Sequence, residues 1–148
     1  MEIKLRVATE ADLSEILRLY AHLEINSAAV LQLDEAKRLF HHIETYPDYT
    51  VYVACIDDVV VGSFALLIMP VLGHLSTSSG IVEDVIVDLT LHRNGIGKVM
   101  MRSAMQICKE KHCYKLSLST NLKRKDAHIF YESLGFEKHG YSFKIDLT

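Results

Sequence analysis

Two glycines one residue apart, Gly95 and Gly97, break the run EDVIVDLTLHRNGIGKVMM where a strand-like apolar stretch gives way to a helical pattern. Glycine lets a backbone approach a ligand closely, and the first amides of a helix lack carbonyl partners of their own. Residues 94–98, comprising Asn94, Gly95, Ile96, Gly97 and Lys98, are therefore expected to hold an anionic group such as a phosphate. Two familiar phosphate loops fit poorly. A P-loop would need Gly at His92 and Ser or Thr at Val99, and a dinucleotide fingerprint would need a third Gly or Ala at Met100. A glycine-softened turn that only starts a helix is the bland alternative.

Glu83 and Asp84 are adjacent carboxylates within the same apolar stretch. Neighbouring side chains on a strand point to opposite faces, so one of the pair at most should face a common cleft. Lys123, Arg124 and Lys125 form the basic run, which suits either a phosphate contact or a solvated loop. His41 and His42 make no HExxH pattern and read as surface residues, while His128 either faces a site or flanks a helix. Cys55, Cys108 and Cys113 form no CxxC pair, so no metal site is expected and all three read as reduced apolar residues.

These groups need elements to position them. Ile3, Leu5 and Val7 alternate as in a strand; Leu13, Ile16, Leu17, Tyr20 and Leu23 then recur at helical spacing, with Thr9 and Asp12 as a start signal. A second helix is predicted over 34–43, with Leu39, Phe40 and Ile43 on its apolar face, ending before Pro47. TVYVACI and VVVGSFALLIM, separated by Asp57 and Asp58, read as a hairpin; LGHLSTSSG reads as a loop and IVEDVIV as a buried strand. The best helix starts at Gly95 and places Ile96, Val99, Met100, Ser103, Ala104, Ile107 and Cys108 on one face. YKLSLST is predicted as a strand, DAHIFYESLG as a helix stopped by Gly135, and 141–147 as a last strand with Tyr141, Phe143, Ile145 and Leu147 on one side. The order implies an α/β (α+β) chain with a mixed, mostly antiparallel twisted sheet flanked by helices.

The composition sets bounds. The 148 residues are 49% hydrophobic and 24% charged, which excludes disordered, collagen-like and disulfide-scaffold classes and predicts a single domain over 1–148. A net charge of −3 supplies no field to draw nucleic acid, the N-terminal MEIKLRVATEADL lacks the unbroken apolar core of a signal peptide, and no later stretch has the apolar length of a membrane span. Neither nucleic acid nor membrane is an expected partner, and a cytoplasmic location is expected.

The segment around Gly95 and Gly97 resembles the acetyl-CoA-binding motif of the GNAT superfamily of N-acetyltransferases, Q/R-x-x-G-x-G/A. LRVATEADL is similar to that family's opening strand and helix, IVEDVIV to its central strand, and AHIFYESLGF to its last helix. The resemblance covers nearly the whole chain and implies the GNAT acyltransferase fold. His92 stands where the family has Gln or Arg, with Arg93 adjacent as a substitute. Within the superfamily, the C-terminal part is similar to aminoalkylphosphonate N-acetyltransferases, and IVEDVIV and CYKLSLS to glucosamine-6-phosphate N-acetyltransferases. Both act on small amines that carry an anionic group.

The resemblance implies roles that the chemistry asks for. A primary amine with a pKa of about 10 must lose a proton before it attacks a thioester. Glu83, ahead of Asp84, is the candidate base. Tyr131 occupies the place of a tyrosine that gives a hydrogen bond or a proton to the coenzyme sulfur, with a core tyrosine beside Phe130 as its alternative. A central-strand amide near Val85, within the coenzyme-binding stretch Val85, Ile86 and Val87, is the candidate oxyanion donor. Asn121 resembles a position near the coenzyme, or simply ends its strand. Acetyl-CoA is thus the implied cosubstrate, a small amine the implied partner, and a homodimer is allowed. Cys108 and Cys113 give no support to a covalent acyl-enzyme. Two alternatives stay open: an acyl-CoA-binding regulatory module without turnover, and a protein acceptor reached through a groove bounded by the 26–33 and 70–80 loops.

Overall fold

The structure, a computed structural model, describes residues 1–23 and 30–148, so residues 26–29 of the 26–33 segment just named lie outside the described residues. The chain divides into two compact units, Met1–Ser117 and Leu118–Thr148.

The first unit is built on a five-stranded sheet in the order β1 (Lys4–Val7), β2 (Tyr49–Ile56), β3 (Val59–Pro70), β4 (Ser78–Val87) and β5 (Cys113–Ser117). The first three pairings are antiparallel and β4 with β5 is parallel. Helices α1 (Leu13–Leu23) and α2 (Leu33–Glu44) join β1 to β2, and α3 (Ile96–Glu110) crosses from β4 to β5, as a parallel pair requires. The mixed, mostly antiparallel α/β architecture read from the sequence is the one observed.

Local chemistry explains the joints. The β2–β3 turn uses Asp57 and Asp58 at φ 50° and 64°, the mirror-image turn whose twist matches a hairpin and which short polar residues tolerate best. A 3-10 turn at Glu10–Asp12 starts α1, and the Asp12 carboxylate accepts from the Thr9 N–H at 2.8 Å and the Thr9 hydroxyl at 3.2 Å. Leu13, Ile16 and Leu19 of α1 join Ala36 and Phe40 of α2 in one buried cluster with Val53, Val60 and Ile86. At about 1.5–3 kcal/mol per large side chain removed from water, this cluster supplies much of the force that seats both helices.

Several boundaries differ from the sequence reading. Ser78, Ser79 and Gly80, read as loop, begin β4: a Cβ on Gly80 would lie 2.6 Å from Cys108 Sγ, so the small residues let α3 pack directly on the strand. Leu39 of α2 is exposed and Ala36 is buried instead, while Met101, omitted from the α3 face, is fully buried beside Met100. β5 begins one residue early and stops at Ser117.

The second unit contains α4 (Lys125–Ser133), which ends before Gly135 at φ 97°. The predicted last strand does not form: residues 136–148 enter no ladder. Alternation marks a chain able to be a strand, but a strand exists only when a neighbour accepts its hydrogen bonds.

Candidate active site

β4 carries the chemistry because it is irregular. Ser63 pairs with Ile86 and Ala65 with Glu83, so Asp84 and Val85 together oppose the single residue Phe64 in a β-bulge. Asp84 has a left-handed φ of 54°, a conformation that costs a non-glycine residue about 1 kcal/mol or more. The bulge breaks the strict alternation expected for adjacent residues, and both Glu83 and Asp84 are exposed, in contrast to the opposite-face reading of the pair. β4 also leaves its neighbour at this point. It pairs with β5 only from Ser78 to Ile81, so Val82 to Val87 have no strand on that side among the described residues. Backbone N–H and C=O groups on such an edge are available to an extended ligand.

Two tyrosines to which the sequence assigned no chemical role lie near these carboxylates. The phenol of Tyr20 on α1 is raised above its ordinary range, chiefly by burial and then by the negative charge of Asp84. Tyr49 at the start of β2 is raised by burial, by Asp84 and by Glu83. Both therefore stay protonated, with phenols able to donate a hydrogen bond. Tyr20 was legible only as part of the α1 apolar face, since nothing local in the sequence links it to residue 84.

The connection from β4 to α3 is pinned by its own side chains. Asp88 Oδ1 accepts from the Thr90 N–H at 2.9 Å and the Thr90 hydroxyl at 2.7 Å, and Asp88 Oδ2 lies 3.7 Å from the Arg18 guanidinium. Asn94 donates through Nδ2 to the Leu91 carbonyl at 3.0 Å, so its side chain braces the turn. Arg93 and Gly95 both hold positive φ, 68° and 79°, and a Cβ at Gly95 would meet no atom, so glycine serves conformation there rather than space. The first α3 bond runs from the Val99 N–H to the Gly95 carbonyl at 3.1 Å, and no side chain caps the helix. The amides of Ile96, Gly97 and Lys98 therefore have no helical carbonyl to bond, which suits an anion, and His92, Arg93 and Lys98 stand exposed around them. The donor set fits the phosphates of a coenzyme. The β4 stretch Val85, Ile86 and Val87 leads directly into this loop.

Asn121 and Tyr131 belong to the second unit. Asn121 Oδ1 accepts from the Lys123 N–H at 2.9 Å, and its carbonyl accepts from the Arg124 N–H at 3.0 Å and lies 2.9 Å from His128 Nε2. It thus organises the turn into α4. Tyr131 is half-buried, with edge contacts to Phe130 and Phe136 at ring-centroid distances of 5.1 and 5.6 Å. Burial raises its phenol and Arg124 partly opposes that, so the hydroxyl stays protonated. Lys123, Arg124 and Lys125 are exposed.

Other sequence candidates fall away from this chemistry. His41 lies between Glu44 and Glu10 at 2.9 and 3.2 Å on the exposed side of α2. Burial is the main cause that pushes the Cys108 thiol up to about 12, which keeps it protonated and a poor nucleophile. Among the described residues no His, Cys, Asp and Glu cluster could hold a metal, and no helix is long and apolar enough to cross a membrane.

Comparison with known proteins adds a second line of support. Residues 13–136 match the Acetyltransferase (GNAT) family. A glucosamine 6-phosphate N-acetyltransferase of Trypanosoma brucei brucei is 29% identical over 158 aligned positions, covering 99% of this chain and 97% of the relative. A solved structure from Agrobacterium tumefaciens str. C58, provisionally described as an acetyltransferase, superposes with a TM-score of 0.91 at 30% identity, covering 97% and 99% of the two chains. The glucosamine-6-phosphate N-acetyltransferase of Arabidopsis thaliana superposes with a TM-score of 0.84 at 22% identity over the full length of both, which speaks for the fold.

Proposed function

From a chain that belongs to the GNAT acetyltransferase family, we propose an enzyme that transfers acetyl from acetyl-CoA to the primary amine of a small anionic metabolite, an amino sugar phosphate first among them. The observation that carries this reading is the continuity of the bulged, open-edged half of β4 with the uncapped start of α3. One end offers free edge groups and carboxylates for a thioester and an amine, and the other offers amides for phosphate. The match to residues 13–136 spans both units, which supports their acting as one domain over 1–148.

In this reading acetyl-CoA is a substrate that supplies an activated acetyl group. The amides at 96–98, with His92, Arg93 and Lys98 around them, hold its phosphates, and the β4 edge at Val85, Ile86 and Val87 holds its extended arm. Glu83, with Asp84 as second candidate, takes a proton from the ammonium group, directly or through water. The amine nitrogen then attacks the thioester carbonyl, a backbone N–H near Val85 holds the developing oxyanion, and the C–S bond breaks. Tyr131 gives the departing thiolate a proton, a role its neutral phenol supports. Asn121 supports the coenzyme side through the turn it holds. Direct attack in a ternary complex suits a protein whose Cys108 is held as a thiol. A cytoplasmic setting, where thiols stay reduced, and a homodimer complete the reading.

The test is thiol release from acetyl-CoA with a panel of amines: glucosamine 6-phosphate, 2-aminoethylphosphonate, a polyamine and peptide amines. Turnover highest on a phosphate- or phosphonate-bearing amine is the expected result. Preference for a peptide amine would replace the substrate class, and binding of acetyl-CoA without turnover on any amine would make the chain a binding module.

A further inference from the structure

Cys108 and Cys113 stand close in sequence but belong to different elements, the last turn of α3 and the first position of β5. The crossing between them is tight. The Lys111 and His112 amides donate to the Ile107 and Lys109 carbonyls at 3.1 and 3.2 Å, and His112 turns the chain with a left-handed φ of 60°. Both cysteines are thereby set on the same stretch of β4. Cys113 pairs with Ser78 in the parallel ladder, and the Cys108 sulfur lies over Gly80, where a Cβ would stand only 2.6 Å from it. The two thiols come within hydrogen-bonding reach of each other. They differ in access: Cys108 is 4% exposed, whereas Cys113 is half-exposed. Lys111, paired with Asp48, holds its ammonium group near both.

We propose that Cys113 and Cys108 form a peroxide-sensitive dithiol that closes reversibly to a disulfide, a modification site separate from the acetyl-transfer site. Peroxide reaches the half-exposed sulfur first. The Cys113 thiolate attacks one oxygen of hydrogen peroxide, the O–O bond breaks, and the departing hydroxide takes up the proton the thiol gave, leaving a sulfenic acid at Cys113 and one water. Cys108 then gives up its proton and attacks the Cys113 sulfur. The S–S bond forms, the S–O bond breaks, and hydroxide leaves with the Cys108 proton as a second water. Each sulfur loses one electron and peroxide takes both, so two thiols and one peroxide give one disulfide and two waters. A buried, protonated Cys108 reacts poorly with free molecules, but attack on a neighbour already within reach gains the effective concentration of an intramolecular step. Exchange with a reduced dithiol returns the pair to its open form.

Cys108 stands about 18 Å along α3 from Ile96, so the test reads sulfur chemistry and is independent of acetyl transfer. The full chain, first reduced, is treated with a small excess of hydrogen peroxide, alkylated and mapped by tryptic mass spectrometry. Cleavage after Arg102, Lys109, Lys111 and Lys115 puts the two sulfurs on separate peptides, 103–109 and 112–115, so a disulfide joins them into one species that a dithiol reductant splits. Buried Cys55 of β2, beside Arg6, is the internal comparison. Cys108 and Cys113 should disappear together, at least about tenfold faster than Cys55. Cys113→Ser, at a half-exposed position, should keep the fold and leave Cys108 as slow as Cys55. Cys108→Ser should leave a sulfenic acid at Cys113 that dimedone captures; if that variant does not fold, the wild-type map and Cys113→Ser decide. Passage of Cys113 to sulfinic acid while Cys108 is still alkylated would overturn the proposal. So would a link between the Cys113 residues of two copies, or equally fast loss of Cys108 in Cys113→Ser.

Discussion

Asp84 of β4 and Phe64 of β3 face each other where the two strands fall out of count, two residues against one, with Phe64 fully buried and Asp84 at a left-handed φ of 54°. The bulge is thus held by a packed core on one side while its other side is exposed. Asp84→Asn should leave stability almost unchanged, because Asn tolerates this φ, whereas Asp84→Val should cost about 1–3 kcal/mol in urea denaturation. Equal stability of the Val and Asn variants would show that the left-handed backbone carries no strain.

Glu83 and Asp84 are separated as bases by their pH profiles. Glu83→Gln should lower turnover, with a loss that shrinks as pH rises toward the amine's own pKa of about 10, where free amine no longer needs a base. Asp84→Asn should change turnover less. A profile for Glu83→Gln that runs parallel to wild type would move the role to Asp84.

At the mouth of α3, Gly97→Val should weaken acetyl-CoA binding by at least about tenfold, since a branched side chain would obstruct a ligand's approach to the free amides. Gly95→Ala should cost about 1 kcal/mol of stability through its φ of 79° alone. Titration calorimetry separates the two, and undiminished affinity in a folded Gly97→Val protein would remove the proposed phosphate site.

Tyr131→Phe removes one oxygen and keeps the ring against Phe130 and Phe136. Folding and coenzyme affinity should hold while turnover falls by roughly a hundredfold to ten-thousandfold, the usual contribution of a general acid. Full activity in the Phe variant would return Tyr131 to a packing role.

The opening of α1 predicts a pH dependence of stability. The Arg6 guanidinium donates to both oxygens of buried Asp12, at 2.7 and 2.8 Å, and with the Thr9 N–H it holds that carboxyl down to about 2, from an ordinary value near 3.8. A depressed folded-state pKa contributes stability that is fully present above about pH 4 and lost as pH falls toward 2. The contribution is about 2 kcal/mol, and Asp12→Asn should lower stability at pH 7 by a similar amount and flatten its decline between pH 4 and 2. Parallel acid denaturation curves for the two proteins would contradict this.

Much of this protein is decided locally, and its sequence alone determines that part. The Asp57–Asp58 hairpin turn, the Thr9 and Asp12 helix start, the glycine loop before α3 and the helix stop at Gly135 each depend on backbone preferences spanning a few residues. The glycine loop together with the order of elements was enough to mark the family. Whatever depends on a partner distant in the chain was decided by the tertiary structure. Ser78, Ser79 and Gly80 are strand because they pair with Pro70, Met69 and Ile68 of β3, with Gly80 leaving room for Cys108, and Glu83 and Asp84 are both exposed because the bulge opposite Phe64 breaks their alternation. Tyr20 and Tyr49 join the acidic pair only through folding. Residues 141–147 show the same principle from the other side: their period of two makes them able to be a strand, but only a neighbouring edge to accept their hydrogen bonds makes them one.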